Sequence, residues 1–442
     1  MALRENAAGI LALRRDQVGY LRGMVAAHGD IFRMRMGGFP VVMVNHPDYV
    51  QDVLVNRHEN YDKENFLYRA ARAIVRDGIV TSIGGAEWQR RRKMLNPAFH
   101  RPSIARFVDV MTEKTGDMLD GWGRAAPAEV IDVSAASSGL ALKIVLSSLF
   151  GAGTGDGIRR FERAFFDVNE IAGKFFRFPF PPLTWRTPSR NRLRARIAEM
   201  DAFIHEVIAA SSRPDAAHGL DLFTLMLDAV DEETGARLTA EQLASEVMSM
   251  IVGGFETSSN SIAWIYQQLA EHPEVQRRVQ SEVDEVLGGR PPTFADLSRL
   301  VYTRRVVDET LRMFTPAWQT MRRAAQSDQI GGYRIRQHAN VYINFFTLHR
   351  HPEFWPDPDR FDPDRFSPQA SAQRPRHAYQ PFASGPRHCI GKHFGLAELQ
   401  VTTAMLAQRF HVEQPQNLPS PGFDPLLTLH PKNGIHLRLR HR

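Results

Sequence analysis

The sequence predicts one large domain that is mainly α-helical with small β-sheets. Helical patterns dominate the chain, and the longest spans residues 239–272. Strand patterns are short and fall near residues 31–44, 315–346 and 422–429. No Pro/Gly/Ser-rich linker, repeat or low-complexity run divides the 442 residues. We therefore expect residues 1–442 to form a single domain.

Composition limits the classes of function. With 43% hydrophobic and 24% charged residues, the chain can bury a sizeable core. The net charge of +6 is a mild excess spread along the chain, and no nucleic-acid module stands out. No apolar run approaches the ~20 residues that cross a bilayer, and the first residues lack a signal-peptide layout. We expect no transmembrane anchor, no nucleic-acid partner and a cytoplasmic location.

The first elements predicted are a hairpin and a helix. Residues 31–36 and 40–44 have strand patterns on either side of Gly37-Gly38, and His46-Pro47 begins a short helix. Residues 61–85 show no clear period and are predicted to form loops over a site.

A short basic helix follows at residues 87–95, ended by Pro97. The four-residue spacing places Trp88 and Arg92 on one face, which aligns two hydrogen-bond donors. Arg90, Arg91 and Lys93 occupy the other faces, where a basic run is usually solvated and is available to an acidic partner.

Residues 104–210 are predicted to be mostly helical, with interruptions at 151–157 and 175–182. The second interruption is rich in Phe and Pro. Two interpretations stay open for it: core packing of a loop, or a lid over an apolar cavity.

The longest helix begins at Thr239, where Gln242 completes a capping box. About 32 residues at 1.5 Å each give roughly 48 Å, enough to cross the domain. Gly253 and Gly254 lie in its middle, although each glycine costs about 1 kcal/mol relative to alanine there. Either close helix packing or a groove for a small ligand explains them. Glu256 and Thr257 next to them could pass protons.

The C-terminal half continues with helices at residues 273–287 and 301–314, and Glu309 and Arg312 lie one turn apart in the second. Residues 315–324 are predicted to be extended, because the Thr315-Pro316 step disfavours helix. A hairpin at 330–335, a strand at 340–346, a helix up to about residue 409 and a terminal turn at 422–429 complete the prediction.

Cys389 is the only cysteine in the chain. A lone thiol cannot form an internal disulfide or a multi-cysteine zinc or iron–sulfur site. A buried structural cysteine is one alternative. The other is a thiolate ligand of haem iron, for which one cysteine suffices. Gly385 and Pro386 before it form a turn, and a helix begins just after it, whose N-terminal end would stabilise a thiolate.

Residues 382–391 form the pattern Phe-x-x-Gly-x-Arg-x-Cys-x-Gly, which resembles the haem-binding loop of the cytochrome P450 family position for position. The resemblance implies the cytochrome P450 fold, with haem b between the long helix and this loop. It implies Cys389 as the axial iron ligand, Arg387 as a partner of a haem propionate, and Phe382 and Gly391 as residues of the loop that holds the haem.

Four further motifs resemble the family in the family's order. Trp88 and Arg92 match a propionate-binding pair, and Arg322 aligns with another propionate ligand, with Arg323 left open as an alternative. Glu256 and Thr257 match an acid–alcohol pair, beside Gly254 in an oxygen-binding groove. The resemblance also implies a structural network of Glu309, Arg312 and Arg365, although Asp364 replaces the family's usual glutamate.

The resemblance implies a soluble, bacterial haem-thiolate monooxygenase of secondary metabolism that hydroxylates or epoxidises an apolar small molecule. A terpenoid, fatty acyl or polyketide substrate is expected, with O2 and electrons from a ferredoxin or flavodoxin-type donor and its reductase. Another oxidation such as ring coupling, or a non-catalytic haem-binding sensor, stays open. Basic residues near Cys389 would dock the donor: Arg90, Arg91, Lys93, Lys392 and His393. The predicted substrate pocket consists of Phe66, Phe176, Phe255, Ala317, Trp318 and Leu427.

Overall fold

The computed structural model describes residues 15–36, 39–124, 129–151, 157–177, 185–211 and 221–442. The helices in these ranges are α1 (Gln17–His28), α2 (Pro47–Gln51), α3 (Phe66–Val75), α4 (Gly85–Leu95), α5 (Arg101–Gly123), α6 (Val133–Phe150), α7 (Gly157–Arg177), α8 (Pro188–Ser211), α9 (Leu222–Asp228), α10 (Ala240–Glu271), α11 (Pro273–Leu287), α12 (Val301–Met313), α13 (Phe345–Leu348), α14 (Pro368–Ala372) and α15 (Lys392–Arg409). Helical turns also cover Asp52–Asn56, His58–Asn60, Asn96–Phe99, Phe294–Ser298, Pro363–Phe366 and Arg376–Ala378.

The strands are short, as predicted. They are β1 (Ile31–Met36), β2 (Phe39–Val44), β3 (Tyr61–Asp62), β4 (Val130–Asp132), β5 (Gln319–Ala324), β6 (Asp328–Ile330), β7 (Tyr333–Ile335), β8 (Asn340–Asn344), β9 (Phe410–Glu413), β10 (Phe423–Pro425), β11 (Leu429–Pro431) and β12 (His436–His441). The largest sheet has the order β1-β2-β8-β5-β3, and β2 pairs with β8 in parallel. A second sheet has the order β4-β12-β9, and β6-β7 and β10-β11 are separate hairpins.

Helix α10 lies at the centre of the helical part. Its capping box is present as predicted, because Thr239 accepts from the Gln242 backbone while the Gln242 side chain accepts from Thr239. The helix stays continuous past Gly253 and Gly254, and α6, α8, α12 and α15 pack around it. Most of its residues beyond Leu243 are buried, so this helix forms the middle of the core.

One segment differs from the sequence prediction, and another is only partly described by the structure. Residues 66–75, predicted to form loops, are the helix α3, capped by the Asn65 side chain. Its buried residues Leu67, Ala70, Ala71 and Ile74 follow helical spacing, which the interspersed Tyr and Arg obscure in the sequence. The predicted interruption at 175–182 begins inside α7, and residues 178–182 lie outside the described residues.

Helix α6 is the one helix of the described residues whose length and composition would allow it to cross a membrane. It packs against α10, and eleven of its residues are buried. Its apolar composition is therefore accounted for by its place in the core.

The three residues predicted to form a structural network are in contact. The Arg312 guanidinium donates to both oxygens of Glu309, at 2.7 and 2.8 Å, and both side chains are fully buried. Arg365 Nε lies 3.4 Å from Glu309 Oε1. The network joins α12 to the segment that leads to the cysteine loop, while its predicted role in haem retention stays a prediction.

Candidate active site

A cavity of about 310 Å³ lies between α10 and the loop that carries Cys389. Its walls are mostly apolar, and the residues come from α4, α6, α10, α15 and the cysteine loop. The residues that line it include Lys63, Trp88, Arg92, Val145, Gly253, Gly254, Thr257, Ala317, Phe382, Arg387, Cys389 and Gly391.

The cysteine loop is fixed by backbone contacts. Gly385 has a positive φ of 72°, and a Cβ there would lie 1.8 Å from the Leu54 carbonyl oxygen, so only glycine fits. The Cys389 N–H donates to the Phe382 carbonyl at 2.9 Å, which closes the loop. Phe382 lines the cavity on the same side, in agreement with its predicted position.

The Cys389 thiol faces the cavity, so its surface is accessible from there although the residue lies well inside the protein. Burial raises the pKa of the thiol, and the Gly391 N–H, Arg92 and Lys392 oppose that rise. These three groups would stabilise a thiolate once a ligand to it supplies further positive charge.

Four cationic side chains gather on one side of the cavity. Lys63, Arg92 and Arg387 line it, and among the described residues no Asp or Glu does. Burial lowers the pKa of Lys63 well below its usual value, and the nearby Arg322, Arg387 and Arg92 lower it further. Burial likewise lowers the pKa of Arg387 to about 10, with a further contribution from Arg322. The cluster therefore favours a dianionic ligand.

Lys63 was missed by sequence reasoning. It stands alone in Tyr-Asp-Lys-Glu, and only its buried position reveals it. Its ammonium donates to the Val80 carbonyl at 2.5 Å and lies 4.4 Å from the Tyr68 ring centroid. No local sequence signal distinguishes it from an ordinary surface lysine.

The structure changes the predicted role of Trp88. Its single N–H donates to the Ile79 carbonyl at 3.1 Å, so this donor is already used inside the protein. The indole ring instead lies 4.1 Å from the Arg387 guanidinium carbon, while Arg387 donates to the Ser82 and Ile83 carbonyls. Trp88 thus positions Arg387. The predicted partner Arg92 lines the cavity and donates to the His388 carbonyl at 2.9 Å.

The two candidates for the remaining propionate ligand have different partners. Arg323 forms an ion pair with Asp62 at 2.6 Å, which neutralises its charge. Arg322 is buried and donates to Thr320 Oγ1 and to the Met321 carbonyl. No carboxylate of the described residues pairs with Arg322, which lies next to Lys63 and Arg387, and its contact with a propionate stays a prediction.

The two glycines of α10 do different things. A Cβ on Gly254 would lie 2.9 Å from Val145 Cγ2 of α6, so this glycine permits close helix packing. A Cβ on Gly253 would meet nothing within 4 Å, and its face opens onto the cavity. Gly254 also borders the cavity, but Gly253 leaves more room there. Thr257 lines the cavity, and its hydroxyl donates to the Gly253 carbonyl at 2.7 Å.

Glu256 is not among the residues that line the cavity. Its carboxylate instead contacts α7 and the β10-β11 hairpin through Asn169, Thr428 and His430. The predicted pair of Glu256 and Thr257 is therefore split between two sides of α10.

The predicted substrate pocket is only partly assembled around this cavity. Ala317 lines it. Phe255 packs against Phe165 and Phe166, and Trp318 is buried with its N–H 3.4 Å from the Leu426 carbonyl. Phe66 stacks on Phe39, and Leu427 is half-buried in the terminal turn. The side chain of Phe176 lies outside the described residues. Because the predicted set rested on aromatic content, it overlooked the aliphatic and small residues of α6 and α10.

The predicted docking patch needs correction at one position. Arg91 is buried, with a side chain only 4% exposed, and pairs with Glu246 of α10 at 2.8 Å. Arg90 pairs with Glu87, and Lys93 lies 3.2 Å from Glu232. Lys392 and His393 remain exposed beside the cysteine loop.

The donor set fits a haem. One thiol sits in the cavity wall, three cations without a carboxylate partner on that wall match the two carboxylates of a porphyrin, and the other walls are apolar. A mainly helical fold that holds a single cysteine in this setting defines a haem-thiolate protein.

The chain belongs to the cytochrome P450 family. The family model described as Cytochrome P450 matches residues 10–438. Cyclooctatin synthase of Streptomyces melanosporofaciens is 32% identical over 407 residues, which cover 91% of this chain and 87% of that protein. The cofactor of the family is haem b, and the chain is a cytochrome P450 monooxygenase.

Two further relatives and a solved structure agree. Cyclooctat-9-en-7-ol 5-monooxygenase of the same organism is 31% identical and covers 91% of this chain and 86% of that protein. Pentalenene oxygenase of Streptomyces avermitilis is 29% identical, over 88% of this chain and 85% of that protein. The crystal structure of the cytochrome P450DA heme domain superposes with a TM-score of 0.87 at 28% identity, covering 96% of this chain and 93% of that chain. The predicted family and fold are confirmed.

Proposed function

We propose that this monooxygenase hydroxylates or epoxidises a terpenoid in bacterial secondary metabolism, with electrons from a separate donor. The observation that carries the proposal is the cavity, in which a thiol and a cation cluster share walls that are otherwise apolar. Three relatives at 29–32% identity are named for cyclooctatin, cyclooctat-9-en-7-ol and pentalenene. An apolar cavity suits a substrate with few polar groups, since burial of unpaired polar groups is costly.

Each residue of the site has a role in this proposal. Cys389 would bind the iron, and Lys63, Arg92, Arg322 and Arg387 would neutralise the propionates. When bound, haem b supplies the activation of O2 and the oxidation of the substrate. Gly253 has no side chain and so leaves room for the substrate in the cavity, and the apolar walls exclude bulk water.

Thr257 would hold a proton at Oγ1, because its hydroxyl faces the cavity and is oriented by the Gly253 carbonyl. Glu256 would supply that proton from the other side of α10.

The electron donor would be a small acidic protein of the ferredoxin or flavodoxin type, working with its own reductase. Lys392 supports this proposal, since it is exposed on the first turn of α15, next to the cysteine loop. A cytoplasmic location would follow from such soluble partners.

Substrate binding can be tested with the purified haem-loaded protein. We expect pentalenene or cyclooctat-9-en-7-ol to shift the Soret band from low to high spin in a saturable way. A reconstituted electron-transfer system should then give a product that is heavier by one oxygen atom. A fatty acid and a macrolide serve as matched probes of the other substrate classes.

The result separates the alternatives. A shift with the terpenoids alone supports the proposal, while a shift only with the fatty acid or the macrolide contradicts it. Saturable binding without any oxygenated product would favour the sensor, and a coupled product without added oxygen would favour ring coupling.

The ligand assignment has a separate test. Cys389→Ser should abolish the thiolate-type spectrum of the carbon monoxide adduct, because an alcohol is a far weaker electron donor to the iron than a thiolate. Ser384→Ala, at a variable position of the same motif, is the control. An unchanged spectrum in Cys389→Ser would remove Cys389 from the iron.

A further inference from the structure

The carboxylate of Glu256 is held by three side chains from outside its own helix. Thr428 Oγ1 donates to Oε1 at 2.8 Å, Asn169 Nδ2 also donates to Oε1, and His430 Nε2 contacts the same oxygen. Asn169 belongs to α7, Thr428 precedes β11, and His430 lies in β11. Helix α7 and the β10-β11 hairpin therefore both contact one oxygen atom of α10.

Exposure to solvent differs along this contact. The Glu256 side chain is 3% exposed, whereas the His430 side chain is 16% exposed. The imidazole is thus in contact with the buried carboxylate and is itself partly accessible to water. No Lys or Arg of the described residues forms an ion pair with Glu256. A permanent cation would hold the carboxylate ionised, whereas histidine is the side chain that changes its charge most readily near neutral pH.

The hydrogen bonds around Glu256 allow the proton that it shares with His430 to lie on either residue. Between Glu256 Oε1 and His430 Nε2 there is room for a single hydrogen, bonded either to the nitrogen or to the oxygen. Asn169 and Thr428 donate to Oε1 in both cases, and Asn260 Nδ2 donates to the Thr428 hydroxyl at 3.0 Å. Asn169 Nδ2 also lies 3.0 Å from His430 Nε2 and can donate to that nitrogen when it carries no proton. Neither position leaves Thr428 or Asn169 without its acceptor on Glu256.

We propose that His430 is the proton donor that recharges Glu256, so that protons for O2 reduction enter at the β10-β11 hairpin. Hydroxylation or epoxidation by O2 consumes two electrons and two protons, and releases one water. In each transfer the Nε2–H bond of the imidazolium breaks and an O–H bond forms on Glu256 Oε1. The neutral imidazole keeps its proton on Nδ1, turns away from Oε1 and takes the next proton from solvent at Nε2, its unprotonated nitrogen. This inference rests on the proposed role of Glu256 and Thr257.

The shared proton can be tested without any substrate. Holoprotein labelled with ¹⁵N-histidine is examined by NMR in its diamagnetic ferrous carbon monoxide state. We expect one imidazole N–H resonance shifted downfield by its bond to the carboxylate. It should disappear in His430→Gln and move upfield in Glu256→Gln. Thr257→Ala should keep the resonance, because the Thr257 hydroxyl bonds to the Gly253 carbonyl and not to the Glu256 side chain. Absence of the resonance, or its insensitivity to Glu256→Gln, overturns the proposal.

Proton supply is tested by comparing two oxidants with pentalenene as the probe. O2 with electrons needs protons from the protein, whereas hydrogen peroxide brings both of its protons with it. The measured quantity is the ratio of O2-driven to peroxide-driven product for each variant. Glutamine at position 430 keeps a hydrogen-bond donor to Glu256 but cannot relay a proton, so His430→Gln should lower the ratio about tenfold or more.

The outcomes are distinguishable. A lowered ratio with increased peroxide release from the O2-driven reaction supports the relay. An unchanged ratio means that His430 only positions Glu256, and it overturns the proposal. A wild-type protein that gives no product by either route contradicts the proposed terpenoid function, and the NMR result then decides the proton link by itself.

Discussion

The surroundings of Lys63 disfavour its charged form in the protein alone. Burial and the neighbouring Arg92, Arg322 and Arg387 lower its pKa, and an anionic ligand would stabilise the ammonium. Lys63→Met should therefore stabilise the haem-free protein by about 1–3 kcal/mol and at the same time speed the loss of haem from the loaded protein. Denaturant unfolding of the haem-free form and transfer of haem to apomyoglobin measure the two effects.

Lys63→Met is expected to change the stability of the haem-free protein and the retention of haem in opposite directions. Lys93→Met, which alters an exposed ion pair, should change neither quantity by more than about 0.5 kcal/mol. If Lys63→Met destabilised both forms, Lys63 would be a structural hydrogen-bond donor to Val80 and not part of a propionate site.

Glu398 of α15 is a buried acid that has no cationic partner in the described part of the chain. Burial raises its pKa to about 8, and the hydrogen bond from Ser258 only partly offsets this. Its folded pKa exceeds the unfolded value, so its stabilising contribution is complete below about pH 4.5 and is lost as the pH rises towards 8. The loss is at most about 1.4 kcal/mol per pH unit.

Glu398→Gln mimics the protonated acid and should abolish this dependence. We expect the variant to match the wild type near pH 5 and to be the more stable protein at pH 8, as thermal unfolding of the holoprotein would measure. Glu413→Gln, in an exposed pair with Arg440, is the control. Parallel stability curves for wild type and Glu398→Gln would mean that Glu398 is ionised in the folded protein.

The placement of single residues could be predicted where one motif or one helical turn holds them together. Cys389, Arg387 and Phe382 fall in one loop, and Glu309 and Arg312 lie one helical turn apart. Prediction failed where the partner is distant in sequence. Arg91 is buried because Glu246, 155 residues later, neutralises it, and Trp88 donates to a carbonyl that no pattern reveals.

Within α10, two adjacent glycines offer a matched pair of substitutions. Gly253→Ala meets open space and should stabilise the helix by up to about 1 kcal/mol. The added methyl group narrows the cavity, so binding of a bulky terpenoid should weaken. Gly254→Ala drives a methyl group against Val145 and should destabilise the protein by about 1–3 kcal/mol.

Unfolding measurements on both variants test the two stability effects. The Soret titration of Gly253→Ala tests whether terpenoid binding weakens. The double variant Gly254→Ala with Val145→Ala should recover part of the lost stability, because the contacted methyl group is removed. Equal effects of the two single substitutions would contradict the different roles of the two glycines.

Elements were predicted well where local signals agree. The capping box, the periodic apolar face and the stop at His272-Pro273 fix α10 from the sequence. Helix α3 was missed because its polar and aromatic residues blur the period, and only the fold supplies the surface that buries Leu67 and Ile74. The cavity walls could not be predicted from the sequence for the same reason, because α6 contacts α10 only in the folded chain.

At the scale of the whole molecule, the network of Glu309, Arg312 and Arg365 joins α12 to the segment before the cysteine loop. Glu309→Gln leaves the buried Arg312 charge without a counterion and should cost about 3–5 kcal/mol. We expect the variant to be purified with less haem than the wild type, because the loop that presents Cys389 loses its support. The haem-to-protein absorbance ratio measures this.

The exposed ion pair of Arg278 with Asp364 lies in the same region and provides the control. Asp364→Asn should keep its full haem content. A normal haem content in Glu309→Gln would separate the network from haem retention.

The largest sheet pairs an early strand of the chain with a much later one. Residues 41–44 of β2 pair with residues 340–343 of β8, about 300 positions later. A ribosome adds roughly 5–20 residues per second, so the edge of the first hairpin waits on the order of 15–60 s for its neighbour. During that time it is an open template for another chain. Translation speed and chaperone supply should therefore govern how much of this protein a heterologous host recovers in usable form.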